Sequence, residues 1–503
     1  MKRISSSSKL RLVLTITLPT LFVLLFLALA QPKGPIISAA KSLPEPQATP
    51  TPFPCQTQPS VCPNAPVVTI NSPQVPCDVC IPSGFGGIPI AFFDDYSWRS
   101  FLALVWPAQI QNNQRGVPDT TQSVGGTGPR VFETYKGLWE LFPFDSATQN
   151  FVNPVGWNQN SAPTVNACGQ TVGPGDLVLA SFSKYSDLGQ AGFGNLVGPL
   201  LAGNTTYVHY LTAYNQVEFD QIFNNQWYLR ANLPPKIPSI TFDNNSLDVK
   251  SAWMAMNGVA HPERYYTRMA WVMDPNGNCT NMLVGLVGLH IVQKTPTRPQ
   301  WIWSTFEQID NVPPAAPGAP GAFGAGTYNF NDGTSRPMPT PPNPISLPPP
   351  AVTPTPFNVT RTFPINASTV NTNKAYQAAL SGTPWQFYQL VMTQWPVPGS
   401  TPADSGFPGF SFPGNNPISS FSNVTLETFD QASISTGCMA CHTITQKNTD
   451  FLWSLADHAI PPKIPALMMQ DESMRRLKTL IESRSTLNVS QPKTIKKKGK
   501  KKS

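Results

Sequence analysis

The sequence predicts an α+β protein: a sheet-dominated main body containing a β-meander, with a mainly helical C-terminal segment docked on it. Three observations carry that reading. Tyr265–Met273, a turn signal at Asp274-Pro-Asn-Gly277 and an apolar return from Asn281 to Val292 read as a hairpin, and Trp301–Ile309 follows as a third strand. Trp98, Phe101, Leu102, Val105 and Trp106 recur at helical spacing. Beyond residue 372 apolar residues again fall at helical intervals, in short runs closed by proline.

The first thirty residues carry Lys2, Arg3, Lys9 and Arg11 and no acid, followed by an apolar run from Leu12 to Ala30 that ends Ala28-Leu29-Ala30. A basic start, an apolar stretch and small residues at its end form a signal peptide. At nineteen residues the run is also long enough to stay in a bilayer as an anchor. Cleavage before Gln31 is the favoured alternative, and in either case the remainder is exported, periplasmic or facing outward from a bacterial membrane. Residues 31–84, rich in Pro, Thr and Gln, read as a linker pinned by disulfides.

The main body spans 85–311. Its first helix is expected over Asp94–Trp106, capped by Asp94 or Asp95 and stopped by Pro107. Arg130–Lys136 alternates like a strand, with Leu138–Phe142 beyond it. Met282–Val292 lacks polar alternation and therefore reads as buried on both faces; Gly285 and Gly288 within it mark a bulge or a close backbone approach. Residues 312–372 form a Pro-rich connection. The segment 373–492 then offers helices at Asn373–Leu380, Thr383–Gln394, Leu426–Ala432 and, capped by Asp450, Phe451–Ile460. The tail 493–503 holds seven lysines and no acid and reads as a disordered, solvated end, the alternative being attraction to anionic lipid or an acidic redox partner.

Charge is sparse, 12% of residues, and the net +7 is misleading. Without the two basic ends the chain carries 23 basic and 27 acidic residues. No basic surface for nucleic acid follows from that balance.

Within the C-terminal segment stands Cys438-Met-Ala-Cys441-His442. The C-x-x-C-H spacing is that of covalent haem attachment. Two thiols three residues apart reach the two vinyl groups of one porphyrin, and the following His comes under the iron as proximal ligand, all from one helical turn. The expected cofactor is a single haem c, held by Cys438 and Cys441 and ligated by His442. A zinc half-site would need two further ligands, and no matching Cys/His pair follows. Bacterial haem attachment of this kind is completed outside the inner membrane, which agrees with the N-terminal export signal.

The motif resembles that of c-type cytochromes in the broad sense. More of the chain is similar to bacterial exported proteins with one C-terminal haem motif. The stretches that carry this resemblance are Phe101-Leu-Ala-Leu-Val-Trp-Pro107, Trp301-Ile-Trp-Ser-Thr-Phe-Glu307, Trp385-Gln-Phe-Tyr-Gln-Leu390 and the haem segment. The resemblance implies the cofactor and its three attachment residues, without an activity.

For the sixth iron ligand the candidates are Met468 or Met469 beyond the strap Pro461–Pro465, His290 on the buried strand, and His458; an open or water-bound iron is the remaining alternative. His290 also reads as a hydrogen-bonded core histidine. The other six cysteines read as disulfide partners: Cys55, Cys62, Cys77 and Cys80 among themselves, leaving Cys168 for Cys279. Cys77-x-x-Cys80 is followed by Ile81 and so binds no second haem; it reads as a plain bridge or, less simply, a redox pair. Glu307 and Asp310 are nominal acid/base groups, more simply surface carboxylates, and the tryptophans read mainly as core.

No catalytic triad, H-E-x-x-H, phosphate-cradling loop or paired-carboxylate motif is present. The primary expectation is an exported mono-haem c-type cytochrome that transfers electrons, with a redox partner protein or a small-molecule electron donor or acceptor. An alternative is a haem-dependent oxidoreductase acting on a substrate bound in the 85–311 body. A further alternative is a surface binding protein whose haem is incidental.

Overall fold

The computed structural model describes residues 51–148, 150–179, 200–233, 240–273, 278–314, 328–332, 359–395, 423–428, 431, 438, 442 and 449–459, the side chains of Asp457 and His458 excepted. The signal segment, the 274–277 turn, Cys441, Met468, Met469 and the basic tail lie outside these residues. All described residues belong to one compact unit starting at Thr49. None of its helices is long and apolar enough to cross a membrane.

Helix α1 (Ile90–Leu104) opens the body. The short β1 (Lys136–Gly137), α2 (Leu138–Leu141), β2 (Phe144–Asp145), β3 (Asn150–Phe151) and β4 (Leu177–Leu179) follow. Then come β5 (Val208–Tyr214), α3 (Gln216–Asn224), β6 (Leu247–Ala255), β7 (Thr267–Met273), β8 (Cys279–Thr295) and β9 (Arg298–Gln308). Helix α4 (Ala367–Ala379), β10 (Tyr388–Gln394) and α5 (Trp453–His458) complete the described elements.

The protein is sheet-dominated, as its sequence indicates. Eight strands form one sheet running β1-β5-β6-β8, and at β8 it forks. β6 takes one edge of β8. The other edge is divided: Cys279–Gly285 pairs with β7, and Gly288–Thr295 pairs with β9. β4 extends the first branch in parallel and β10 the second antiparallel. The three strands of the expected meander exist, but β8 does not lie between β7 and β9; they share its edge end to end.

The fork falls where β8 carries an extra residue. Ala252 faces Gly288 and Trp253 faces Leu286, so Val287 is bulged. A bulge reverses which face each later residue occupies. Leu286, Leu289 and Ile291 therefore share one hydrophobic cluster while Val287 enters another. The missing alternation in the sequence thus has two sources, burial on both faces and this shift of phase. Gly288 is also a close approach: a Cβ there would collide with the Thr425 hydroxyl and touch Ala252.

One face of the sheet receives α1 and α4. Ser97 on α1 bonds Ser304 and Thr393 at 2.7 Å each, Trp98 Nε1 donates to Asn373 Oδ1 at 2.9 Å, and Phe101 stacks on Phe306 at 4.4 Å. The opposite face receives the described parts of 423–459. Tyr210 donates to the Thr425 carbonyl (2.7 Å), Asn423 donates to Thr305 Oγ1 (2.9 Å) and the Phe306 carbonyl (2.8 Å), and Val424 N–H donates to Glu307 (2.6 Å).

Several local expectations are corrected. α1 starts at Ile90, so Asp94 and Asp95 sit inside it, buried, rather than at its cap. The preceding turn is favoured because Phe92 and Phe93 enter a cluster where Phe93 stacks on Trp395 at 3.7 Å. Its end before Trp106-Pro107 follows the expected stop. Val131–Thr134 is a 3-10 turn, because Glu133 accepts the Arg130 N–H and Thr134 donates to the Val131 carbonyl; only Lys136–Gly137 is strand. Thr383–Gln394 yields one 3-10 turn at Pro384–Phe387 and then β10, whose backbone is captured by the edge of β9. The register slips between Leu390 and Met392, so Val391 is extra and the apolar spacing imitates a helix. The described residues of 426–432 are turns, and the last helix begins at Trp453, with Leu452 rather than Asp450 at its cap.

Three disulfides tie the periphery to the sheet. Cys55 pairs with Cys77 and Cys62 with Cys80, with Cα separations of 5.0 and 5.4 Å, so each member of the C-x-x-C pairs outward and not with its neighbour. The strap they hold docks on β8 and the β8–β9 turn, where Gln293 donates to the Pro76 carbonyl (3.0 Å) and Thr297 N–H to Asp78 (3.0 Å). Cys168 pairs with Cys279 at a Cα separation of 5.5 Å.

Two predictions follow from these contacts. Gly288→Ala pushes Thr425 off the sheet and should destabilise the fold by about 1–3 kcal/mol in urea titrations, with Gly169→Ala a poor control because its φ is +66° and Gly86→Ala a suitable one. Burial pushes the Asp94 carboxyl up to about 7, against the Thr369 and Thr393 hydroxyls beside it and with Asp95 adding to the rise. The folded state therefore holds a proton that the unfolded chain releases near its ordinary value, and stability falls as pH rises from about 4 to about 7. Asp94→Asn should remove this component, gaining on the native protein by roughly 3 kcal/mol between pH 5 and pH 7.5 in paired denaturation curves.

Candidate functional site

Cys438 and His442 each have helical backbone. Cys438 is half-buried and packs against Met392 of β10, which Ile90 of α1 also touches. The His442 ring lies on Trp303 of β9, with centroids 4.4 Å apart and the planes tilted by 57°. Trp303 is buried and fixed by an Nε1 hydrogen bond to the Gln300 carbonyl at 3.2 Å. Of the tryptophans read as core, Trp98, Trp106, Trp139, Trp301, Trp385 and Trp395 are likewise buried; Trp303 alone among these seven lies against the His442 ring.

The imidazole is oriented by a main-chain acceptor. His442 Nδ1 is 2.8 Å from the Phe451 carbonyl, which can only accept, so Nδ1 carries the proton and the lone pair is on Nε2. Burial pushes the ring's pKa down to about 4; the Phe451 hydrogen bond opposes this, the nearby charges of His290 and Lys250 reinforce it, and Glu427 opposes it weakly. At neutral pH the ring is therefore uncharged, the form that binds a metal.

Register places a polar row on the same face of the sheet. Lys250 faces His290 across β6 and β8, His290 faces Thr305 across β8 and β9, and Thr305 faces Met392 across β9 and β10. His290 Nε2 meets Glu427 Oε1 at 2.5 Å, and the other Glu427 oxygen accepts the Asn423 N–H at 2.8 Å. Burial pushes Glu427 up, but the charges of His290 and Lys250 and its hydrogen bonds more than offset this and hold the carboxyl below its usual range.

The candidate residues thus divide. Cys438, His442 and His290 come to one face of the sheet, with His290 engaged by Glu427. Cys441, Met468 and Met469, and the side chain of His458, lie outside the described residues. Glu307 and Asp310 are not surface carboxylates: Glu307 is buried against Arg361 and the Val424 N–H, and Asp310 takes a two-pronged contact from Arg264 at 2.6 Å. Sequence reasoning missed Trp303 as a support for His442, the Phe451 carbonyl, Lys250 and Glu427. All four depend on long-range placement and leave no local signal.

Of the three residues expected to hold a haem, His442 has a neutral imidazole with its lone pair on Nε2 and Cys438 is half-buried against Met392, while Cys441 lies outside the described residues. Among the described residues no three His, Cys, Asp or Glu side chains are grouped to hold a bare metal ion. A single oriented imidazole suits a metal whose other ligands come with a macrocycle.

No protein-family model, curated protein or solved structure matches this chain.

Trp303→Ala should cost about 3–5 kcal/mol in chemical denaturation, the loss of a large buried ring, whereas Trp303→Phe retains a face for His442 and should cost less than half as much.

Proposed function

We propose that this protein is an exported mono-haem c-type cytochrome that transfers single electrons. The observation that carries the reading is Cys438-x-x-Cys441-His442 with a neutral His442 whose Nδ1 is tied to the Phe451 carbonyl. Cys438 and Cys441 would hold the haem and His442 would be its proximal ligand; when bound, the haem supplies one-electron redox chemistry. The chain's own part is to keep the imidazole neutral and oriented, with Trp303 against one side of its ring and Met392 against Cys438. Three disulfides are compatible with an oxidising compartment and therefore with export. The electron partner is a redox protein or a small donor or acceptor, with membrane association through the N-terminus or the basic tail. The resemblance to exported proteins with one C-terminal haem motif rests on the residues that carry it.

A second reading, a haem-dependent oxidoreductase, is favoured by the His290–Glu427 pair beside Lys250 on the face that also receives His442. A hydrogen-bonded His–carboxylate pair near an open iron position is able to move protons to or from a bound substrate. Spin state separates the two: low-spin iron that resists exogenous ligands favours electron transfer, and high-spin iron that binds CO or cyanide favours catalysis.

Protein matured with haem-attachment machinery should show a c-type α-band in reduced-minus-oxidised spectra and one haem per chain that survives denaturing electrophoresis. Cys438→Ser with Cys441→Ser should abolish the covalent haem. A colourless native protein would end the proposal.

A further inference from the structure

The main chain that receives His442 is in an uncommon conformation. Asp450 (φ 49°) and Phe451 (φ 75°) are consecutive non-glycine residues in the left-handed region, and Trp301 opposite them is left-handed too (φ 71°). For bulky residues this costs energy and persists only where surroundings impose it. Here the surroundings are identifiable. Asp450 is fully buried, and one carboxylate oxygen accepts the Phe242 N–H at 2.9 Å and the Lys294 ammonium at 2.5 Å. Lys294, buried near the end of β8, also stands over the Trp301 ring at 5.8 Å. The Phe451 side chain is fully buried in the main cluster, so its carbonyl is fixed from both sides.

We propose that Lys294 and Asp450 are positioning residues for His442: by locking Asp450–Phe451 in the left-handed conformation they aim the Phe451 carbonyl at Nδ1 and so set which nitrogen faces the metal. The strain in the turn is maintained by the ion pair, and the pair is anchored on β8, which is flanked by strands on both edges. Breaking it lets the turn relax to ordinary dihedrals and swings the carbonyl away. The role in tuning iron rests on the proposed haem; the role in orienting the imidazole does not.

The test uses the full-length chain labelled with 15N-histidine and prepared without haem, whose five histidines give a tractable spectrum. His442→Gln assigns the signal. At pH 8 the native protein should show His442 as the Nδ1–H tautomer. Lys294→Met should lower the ratio of Nδ1–H to Nε2–H roughly tenfold, what loss of one ordinary hydrogen bond produces, and Lys294→Arg should largely restore it. Glu140→Gln, which breaks the buried contact of Glu140 with Arg115 and Lys136 elsewhere in the body, serves as control for general loosening. If Lys294→Met does not fold, Asp450→Asn is read by the same signals. An unchanged tautomer ratio in the folded variant, or an equal change in Glu140→Gln, overturns the proposal. In haem-loaded protein the same variants should raise the midpoint potential, because an imidazole without its Nδ1 acceptor donates less to iron. Failure to take up haem would remove the cytochrome reading while leaving the tautomer result to decide this one.

Discussion

Strand β8 has one residue more than β6 can match, and the rest of the body is arranged around that surplus. Up to Gly285 its free edge feeds β7; from Gly288 the same edge feeds β9. A flat strand of seventeen residues would present one continuous edge and one fixed pair of faces. The bulge at Val287 bends it and increases local twist, which lets two branches leave without colliding. The glycine that closes the bulge leaves a hollow, and Thr425 occupies it. Docking of the C-terminal segment on the sheet thus depends on a backbone irregularity in the middle of the core.

The chain has few charges and uses many of them inside. Arg264 with Asp310, Arg115 and Lys136 with Glu140, Arg361 with Glu307 and Lys294 with Asp450 are all buried pairs. Such pairs add little net stability over apolar replacements, yet losing one partner costs several kcal/mol. Their effect is to fix geometry. Glu307 and Lys294 do so for the segment that carries His442, one through the Val424 amide and the other through Asp450.

Much of this is legible in the sequence. The apolar run of β8, the strands beside it, the stop of α1 before Pro107 and the C-x-x-C-H motif are local patterns with local causes. Several expectations failed for two physical reasons. Bulges at Val287 and Val391 each insert a residue into an alternating pattern, and in β10 the result, Tyr388-x-Leu390-Val391-Met392, has the spacing of a helix face. Capping residues were also misassigned where a carboxylate had a distant partner: Asp450 serves Lys294 and Phe242, not α5, and Asp94 lies inside α1. The site was half legible for the same reason. His442 and Cys438 announce themselves, whereas Trp303, Phe451 and Glu427 reach it through pairings that sequence spacing does not encode.

The two N-terminal disulfides interlace: Cys62 lies within the loop closed by Cys55–Cys77, and Cys77 within the loop closed by Cys62–Cys80. A protease that cuts once anywhere between Cys55 and Cys80 leaves both fragments covalently joined, since every such cut is spanned by at least one bridge. The side-by-side pairing, Cys55 with Cys62 and Cys77 with Cys80, would release the N-terminal part after a cut between residues 62 and 77. The strap is therefore a tether that survives nicking, and after such a cut whatever precedes Cys55 stays attached to the body until every bridge that spans the cut is reduced.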